Sequence, residues 1–422
     1  MSGAFSEVAA LVIFLFTYSL ISFNRRGRSR IELPAAALAG GALMMVTGIL
    51  PPSAAIQSIN WNTIVLVLGM MLIVASMDST GFFIWFANLI SRSRNPAYLL
   101  GTVCGITALL SAFILNDAVV LIFTPVVIRA ARRMNVQPVP YLIMEAISAN
   151  VGSAATEVGN PQNAYIASVS GVPFHTFTLL ALTPTILSLA AAFIIALVIG
   201  RVHFNRRKLH APDEAAPVFR VRKWPVRIMT SLLVLVFLGF YTSSIFRIPI
   251  SVIALTGGIA ALLITPFISE DNNQQVLQKV DWGILMFFIG LFILIAGVES
   301  SGLLSSVISG FQQLSGGSAG TVAGMTVLSA VLSNLTSNVP AVLLLSPVVQ
   351  STVPTTKIWV TLALSSTFAG NATIIGAAAN VIVARGAGRE GIHISLAEFM
   401  RYGLPITLVS LLFTVLLLSL NL

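Results

Sequence analysis

"SANVGSAATEVGNPQNAYIA", residues Ser148–Ala167, carries one glutamate, three asparagines, two glycines and a proline inside a chain that is 56% hydrophobic. A membrane helix would be nearly all Leu, Ile, Val and Phe there. The stretch therefore reads as a helix broken at Gly159 and Pro161, with a second half beginning near Asn163. The pattern returns 217 residues later as "SSTFAGNATIIGAAANVIVA", Ser365–Ala384, which aligns Thr156 with Thr373, Gly159 with Gly376 and Asn163 with Asn380.

Two further matches keep nearly the same spacing. "INWNTIVLVLGMMLIVASMDSTGFF" (Ile59–Phe83) pairs with "VDWGILMFFIGLFILIAGVESSGLL" (Val280–Leu304) at 221 residues. "SAFILNDAVVLIFTPVV" (Ser111–Val127) pairs with "SNLTSNVPAVLLLSPVV" (Ser333–Val349) at 222. Three colinear matches make the chain a duplicated unit: 1–210 and 223–422, joined by a linker over 211–222.

Only 9% of the 422 residues are charged and the mean hydropathy is +0.94, which excludes a soluble globular protein of this length. Apolar stretches long enough to cross a bilayer include Val8–Phe23, Leu33–Leu50, Trp61–Met77, Phe177–Gly200, Met229–Phe246, Ile284–Val298 and Gly403–Leu420. The first is followed by "NRRGRSR" with no small-residue cleavage site and reads as a retained span. The net charge of +9 sits in short loops beside apolar segments, a membrane-orientation signal and not a nucleic-acid surface. A single cysteine, Cys104, excludes internal disulfides, thiolate metal cages and iron–sulfur clusters. No phosphate-binding glycine loop, histidine cluster or nucleophile and base pair is visible, so neither ATP hydrolysis nor another enzyme activity is encoded, and no cofactor is implied.

The segment Pro96–Arg133 has two apolar arms meeting at "ND" and reads as a re-entrant hairpin, because the arm Ala118–Ala131 is short for a span. With one hairpin and five spans per repeat, 21 of the 23 Lys and Arg fall on one face, leaving Arg247 and Lys357 on the other. The crowded face is then cytoplasmic and both termini lie outside, in a plasma (inner) membrane. Five is odd, so the halves are inverted repeats. The expected fold is an all-α integral membrane protein in which each repeat holds five transmembrane helices, a re-entrant hairpin and a broken helix. Inverted repeats with interrupted segments are the signature of a secondary transporter.

Non-helical backbone at membrane depth must face protein or a watery cavity. Two hairpin tips, Leu115–Asp117 and Ser337–Val339, and two broken helices, 156–163 and 373–380, are expected to converge on one site. Its lining is Asn116, Asp117, Asn163, Ser337, Asn338, Thr373 and Asn380, with Thr156 and Asn371 next. Each asparagine could equally cap a broken helix end. Asp117 and Glu157 occupy breaks of the first half while their mates are Val339 and Ile374, an asymmetry that suits proton coupling with Asp117 ahead of Glu157. Asp78 and Glu299 end equivalent helices and read as structural, and Glu145 reads as a solvated residue near the cytoplasmic mouth. No Lys or Arg lies within a break, so a small neutral or weakly charged solute suits the lining better than a carboxylate.

"NDAVVLIFTPVV", "SANVGSAATEVGNPQN", "SNVPAVLLLSPVV" and "AGNATIIGAAANVIVA" together resemble the ion transporter superfamily of ArsB-type arsenite and antimonite efflux permeases, NhaD-type sodium/proton antiporters, silicic acid efflux carriers and sodium-coupled dicarboxylate carriers. The resemblance implies a scaffold domain and a transport domain. It also implies substrate contacts at Asn116, Asp117, Asn163, Asn338 and Asn380, and a proton carried by Asp117. The tips depart from the Ser-Asn-Thr of the dicarboxylate carriers. The "GDPPN"-like break of the antiporters is "GNPQN" here, with Asn160 replacing the acid, which speaks against a sodium site. The expectation is therefore efflux of a metalloid hydroxide, arsenite or antimonite, in exchange for protons. A sodium/proton antiporter, a silicic acid carrier and a passive channel stand as alternatives. Relatives in that superfamily are often homodimers through the scaffold, and a cytoplasmic ATPase subunit on the basic loop stays open.

Overall fold

The structure is a computed structural model that describes residues 3–25, 31–93, 95–200, 221–305, 308–309, 311, 317–352 and 354–420. The basic stretch after the first helix and most of the loop joining the two repeats, including the greater part of 211–222, lie outside the described residues. Every regular element among the described residues is helical.

In the first repeat α1 (Gly3–Arg25), α2 (Leu33–Val46), the short α3 (Pro52–Gln57), α4 (Trp61–Ser79) and α5 (Phe82–Ser91) precede the hairpin arms α6 (Pro96–Phe113) and α7 (Asn116–Arg133). The broken helix follows as α8 (Pro138–Ser153) and α9 (Pro161–Ser170), and α10 (Phe174–Gly200) closes the repeat. The second repeat runs α11 (Lys223–Phe246), α12 (Ile250–Ile268), α13 (Asn273–Gln278), α14 (Trp282–Ser300), the arms α15 (Gly317–Thr336) and α16 (Asn338–Thr352), the broken helix α17 (Thr356–Ala369) and α18 (Ala378–Arg389), and α19 (Leu396–Ser419).

The duplication extends to local detail. The six-residue α3 and α13 each lead into the long helix that follows. Asn60 caps α4 by accepting from the Thr63 N–H at 2.9 Å, and its mate Asp281 caps α14 by accepting from the Ile284 N–H at 3.2 Å. Glycine mates set two close crossings: a Cβ on Gly69 would collide with the backbone of Ala254 in α12, and one on Gly290 with the backbone of Ala37 in α2. Small residues let helix backbones approach where lipid supplies no hydrophobic drive between them.

Lys279, just before α14, donates to Asp78 at the end of α4 at 2.8 Å. The end of one repeat helix thus meets the start of its mate, so α4 and α14 run in opposite directions and the repeats are inverted. Seven of the described helices are long and apolar enough to cross a membrane. Leu179, Ile186, Ile194 on α10 and Leu408, Leu412 on α19 point outward, as a lipid-facing surface requires.

Candidate functional site

Each broken helix is stitched across its gap by the asparagine that begins its second half. Asn163 Nδ2 donates to the Thr156 carbonyl at 2.8 Å and the Ser153 carbonyl at 3.4 Å. Asn380 Nδ2 donates to the Thr373 carbonyl at 2.9 Å and the Gly370 carbonyl at 2.8 Å. These acceptors are themselves mates at 217 residues, so one device closes both breaks. Buried carbonyls freed by the interruption are thereby satisfied. Asn160 adds a cap on α9, its Oδ1 accepting from the Asn163 N–H at 2.9 Å.

The breaks also hold each other. Asn150 Nδ2 donates to Asn371 Oδ1 and to Asn380 Oδ1, both at 2.9 Å, while Asn150 Oδ1 accepts from Asn116 Nδ2 at 3.1 Å. In the reverse direction Gln162 Nε2 and Asn160 Nδ2 donate to Thr367 Oγ1 at 3.1 and 3.4 Å. All of these side chains are buried. Inside the network Asn116 Oδ1, Asn163 Oδ1, Asn371 Nδ2 and Thr373 Oγ1 find no hydrogen-bond partner among the described residues.

The hairpin tips join this unit. The Asn116 N–H donates to the Gly159 carbonyl at 3.1 Å, and Thr156 Oγ1 donates to the Ala112 carbonyl at 2.6 Å. With its amide nitrogen turned toward the carbonyls, Asn338 donates to the carbonyl of Gly376, the mate of Gly159, at 3.1 Å and to that of Ser366 at 3.0 Å. A tip bonded to the middle of a broken helix is inside the protein, so Pro96–Arg133 is a re-entrant hairpin and not two spans joined by an outer loop. Ser337 turns the second tip with φ +82, a left-handed conformation costly for serine.

Beside the first tip lies a cavity of about 360 Å³, lined by Leu115, Asp117 and Ala118 of the hairpin, Pro161 of α9, Met71 and Asp78 of α4, and Lys279 and Asp281 before α14. Asp117 occupies the first turn of α7, where the helix dipole favours a negative charge. Lys279 is held by Asp78 and by Asp271, the latter at 2.9 Å. Burial of Lys279 works against its charge, but the hydrogen bonds to Asp78 and Asp271 outweigh it and hold the ammonium above the ordinary lysine range. The hydrogen bond from Lys279 in turn holds Asp271 below the ordinary carboxylate range.

The corresponding place in the other repeat is closed. The mates of Met71 and Ile382, a further wall residue of the cavity, are Phe292 and Tyr165. Those two rings pack with centroids 5.6 Å apart, and the Tyr165 hydroxyl donates to Ser346 of α16 at 3.2 Å. The hairpin mates Leu121 and Leu343 are 60% and 2% exposed respectively. The two half-sites therefore differ: one is open toward the face that carries Lys279, the other shut.

Of the residues expected at the site, Asn116, Asn163, Asn338, Thr373, Asn380, Thr156 and Asn371 fall in the connected tips and breaks. Asp117 lines the open cavity, whereas Ser337 lines a separate small pocket with Tyr18, Ile21 and Asn334. Glu157 is buried in the first break, with Oε1 unpartnered among the described residues. Glu145 corrects the expectation of a solvated residue: it is fully buried in α8, where Oε1 accepts from Thr124 Oγ1 at 3.2 Å. Asn150 and Thr367 were not expected, since both sit in regular helix one turn before the breaks. A buried Asn amid apolar helix residues was the available signal for Asn150.

Comparison with known proteins follows this geometry. Residues 18–369 match the family CitMHS, described as citrate transporter. An uncharacterized transporter of Mycobacterium bovis is 33% identical, covering 96% of each chain. The silicon efflux transporter LSI3 of Oryza sativa is 29% identical over 89% of this chain and 90% of that protein. The crystal structure of the YdaH transporter of Alcanivorax borkumensis superposes with a TM-score of 0.62 over 92% of this chain and 96% of that one, at 14% identity, which shows the shared fold. The breadth of these matches, on a helical chain of inverted repeats, makes this protein a multi-pass membrane transporter that belongs to the CitMHS family.

Proposed function

We propose that this protein exports a small uncharged hydroxide, of the class of arsenite, antimonite or silicic acid, in exchange for protons. The observation that carries the reading is the set of polar atoms in the buried network left unpartnered among the described residues: acceptors on Asn116 and Asn163, a donor on Asn371 and a hydroxyl on Thr373. A solute with several O–H groups donates and accepts at once, so it suits that mixture without bringing charge into a buried site. In this reading Asn116, Asn163, Asn338, Thr373 and Asn380 set the substrate's surroundings at the tips and breaks, and Ser337 shapes the second tip.

Asp117 is the proton carrier in this reading, because it is the hairpin acid on the open cavity; Glu157, deeper in the first break, is the second candidate. Protonation on one side and release on the other would alternate with solute binding as the open and closed half-sites exchange. The scaffold (α1–α4, α11–α14) and the hairpin and broken-helix bodies would move against each other. The energy comes from the proton, and the reading requires neither an ATPase subunit nor a second copy of the chain.

The family description and the rice relative point to different solutes. The cavity wall favours the uncharged one: citrate would meet Asp78, Asp117 and Asp281 against Lys279 alone, and Lys279 is already paired twice. Proteoliposomes loaded with a pH dye decide between them. Proton movement on adding silicic acid or arsenite, and none on adding citrate, is the expected result. Proton movement driven by citrate, or by sodium with no hydroxide solute present, would overturn it.

A further inference from the structure

A second cavity, of about 900 Å³, lies outside the transport site, between α5, the hairpin arm α6 and the start of α11. Its floor is apolar, formed by Trp85, Phe86, Leu109 and Phe113, and its rim carries Lys223 and Arg227. The two cations are four residues apart on α11 and so share one side of that helix. Both are exposed, and neither forms an ion pair among the described residues. Trp85, Leu109 and Phe113 are 47%, 54% and 37% exposed, so the floor opens toward hydrocarbon and not into the protein core.

The position in the membrane follows from a neighbouring contact. Gly81, just after α4, lies against Val221, just before α11, so the start of α11 shares a membrane face with Asp78 and Lys279. That is the face on which the sequence concentrates its cations, where a bilayer carries its anionic headgroups. A basic rim above an apolar floor at that depth matches an amphiphile with one anionic end.

We propose that this groove is a binding site for one anionic phospholipid, with the headgroup between Lys223 and Arg227 and an acyl chain along Leu109, Phe113 and Trp85. The lipid would sit where a moving arm meets a fixed helix: Phe113 of α6 packs on Phe237 of α11 with ring centroids 4.9 Å apart. Its occupancy would therefore bear on how α6 rides against α11. The inference rests on charge and shape alone and stands whether or not the transported solute is a hydroxide.

The test uses the purified full-length protein in detergent, with phosphatidylglycerol or phosphatidylcholine carrying brominated acyl chains as quenchers of tryptophan fluorescence. Brominated phosphatidylglycerol should quench saturably, and W85F, or W85F with W224F (Trp224 adjoins Lys223 on α11), should remove the saturable part of that quenching. K223A/R227A should weaken phosphatidylglycerol by roughly fivefold for each cation removed, about twenty-five-fold together, with phosphatidylcholine unchanged. K223R/R227K, which keeps both charges, should retain the wild-type response. Added salt must weaken the phosphatidylglycerol effect in the wild-type protein itself. Equal quenching by the two lipids, quenching indifferent to salt, or full affinity in the double alanine variant would each overturn the site.

Discussion

Asn150 and Thr367 are mates at a spacing of 217 residues, and each reaches across the pseudo-twofold relation into the other repeat's broken helix. The residue types differ, but the task is the same. Each stands one turn before its own break and bonds the polar groups of the opposite one, so neither break is complete without the other repeat.

Removing Asn150 strands more than removing Thr367. N150A leaves Asn116 Nδ2, Asn371 Oδ1 and Asn380 Oδ1 without that partner, and each stranded buried group costs about 1–3 kcal/mol. T367V strands chiefly Gln162 Nε2, because Asn160 keeps its bond to Ser153 at 3.1 Å. Thermal unfolding in detergent should place N150A well below T367V, and T367V below wild type. N150A as stable as wild type would show that the network is not what joins the repeats.

The open and shut half-sites give a labelling contrast between mates. In a C104A background, L121C should react with a membrane-impermeant maleimide from the face that carries Lys279, and L343C should be protected. Adding Y165A removes the ring that packs on Phe292, and L343C should then become reactive from the opposite face. Equal reactivity of L121C and L343C in the unmodified background would contradict the asymmetry.

The cluster at Lys279 has a signed pH dependence. Asp271 is held below its ordinary value of 3.8, so its contribution is present above that value and is lost as pH falls through the lower, folded one. Lys279 is held above its ordinary value of 10.5, so its contribution is present below that value and is lost as pH rises through the higher, folded one. These side chains are partly exposed, so D271N and K279M should each cost only about 0.2–1 kcal/mol at neutral pH. The D271N deficit should close in strong acid, and the K279M deficit in strong base. A deficit constant across both limits would rule out the ion pairs as its source.

Much of this was legible in the chain before any coordinates, because duplication makes a polar residue at membrane depth recur at a fixed spacing. Asn116 with Asn338, and Asn163 with Asn380, stood out in that way, as did the hairpins and breaks that hold them. Asn150 and Thr367 did not, because their types differ and no Gly or Pro flags regular helix. Lys279 escaped for another reason: it lies in no break, and only the folding of α13 against the end of α4 brings it to the wall of the Asp117 cavity. Glu145 looked solvated from its place near a loop. Helix phase, which turns it toward Thr124, decided otherwise.

Solute uptake into everted membrane vesicles, driven by an imposed proton gradient, tests the central claim most directly when wild type and D117N are compared. Wild type should accumulate silicic acid or arsenite against its gradient, and an uncoupler should abolish this. D117N should lose accumulation while keeping a folded, helical chain. Accumulation by D117N that still follows the proton gradient would contradict the assignment of Asp117, and accumulation of citrate alone by wild type would contradict the hydroxide reading itself.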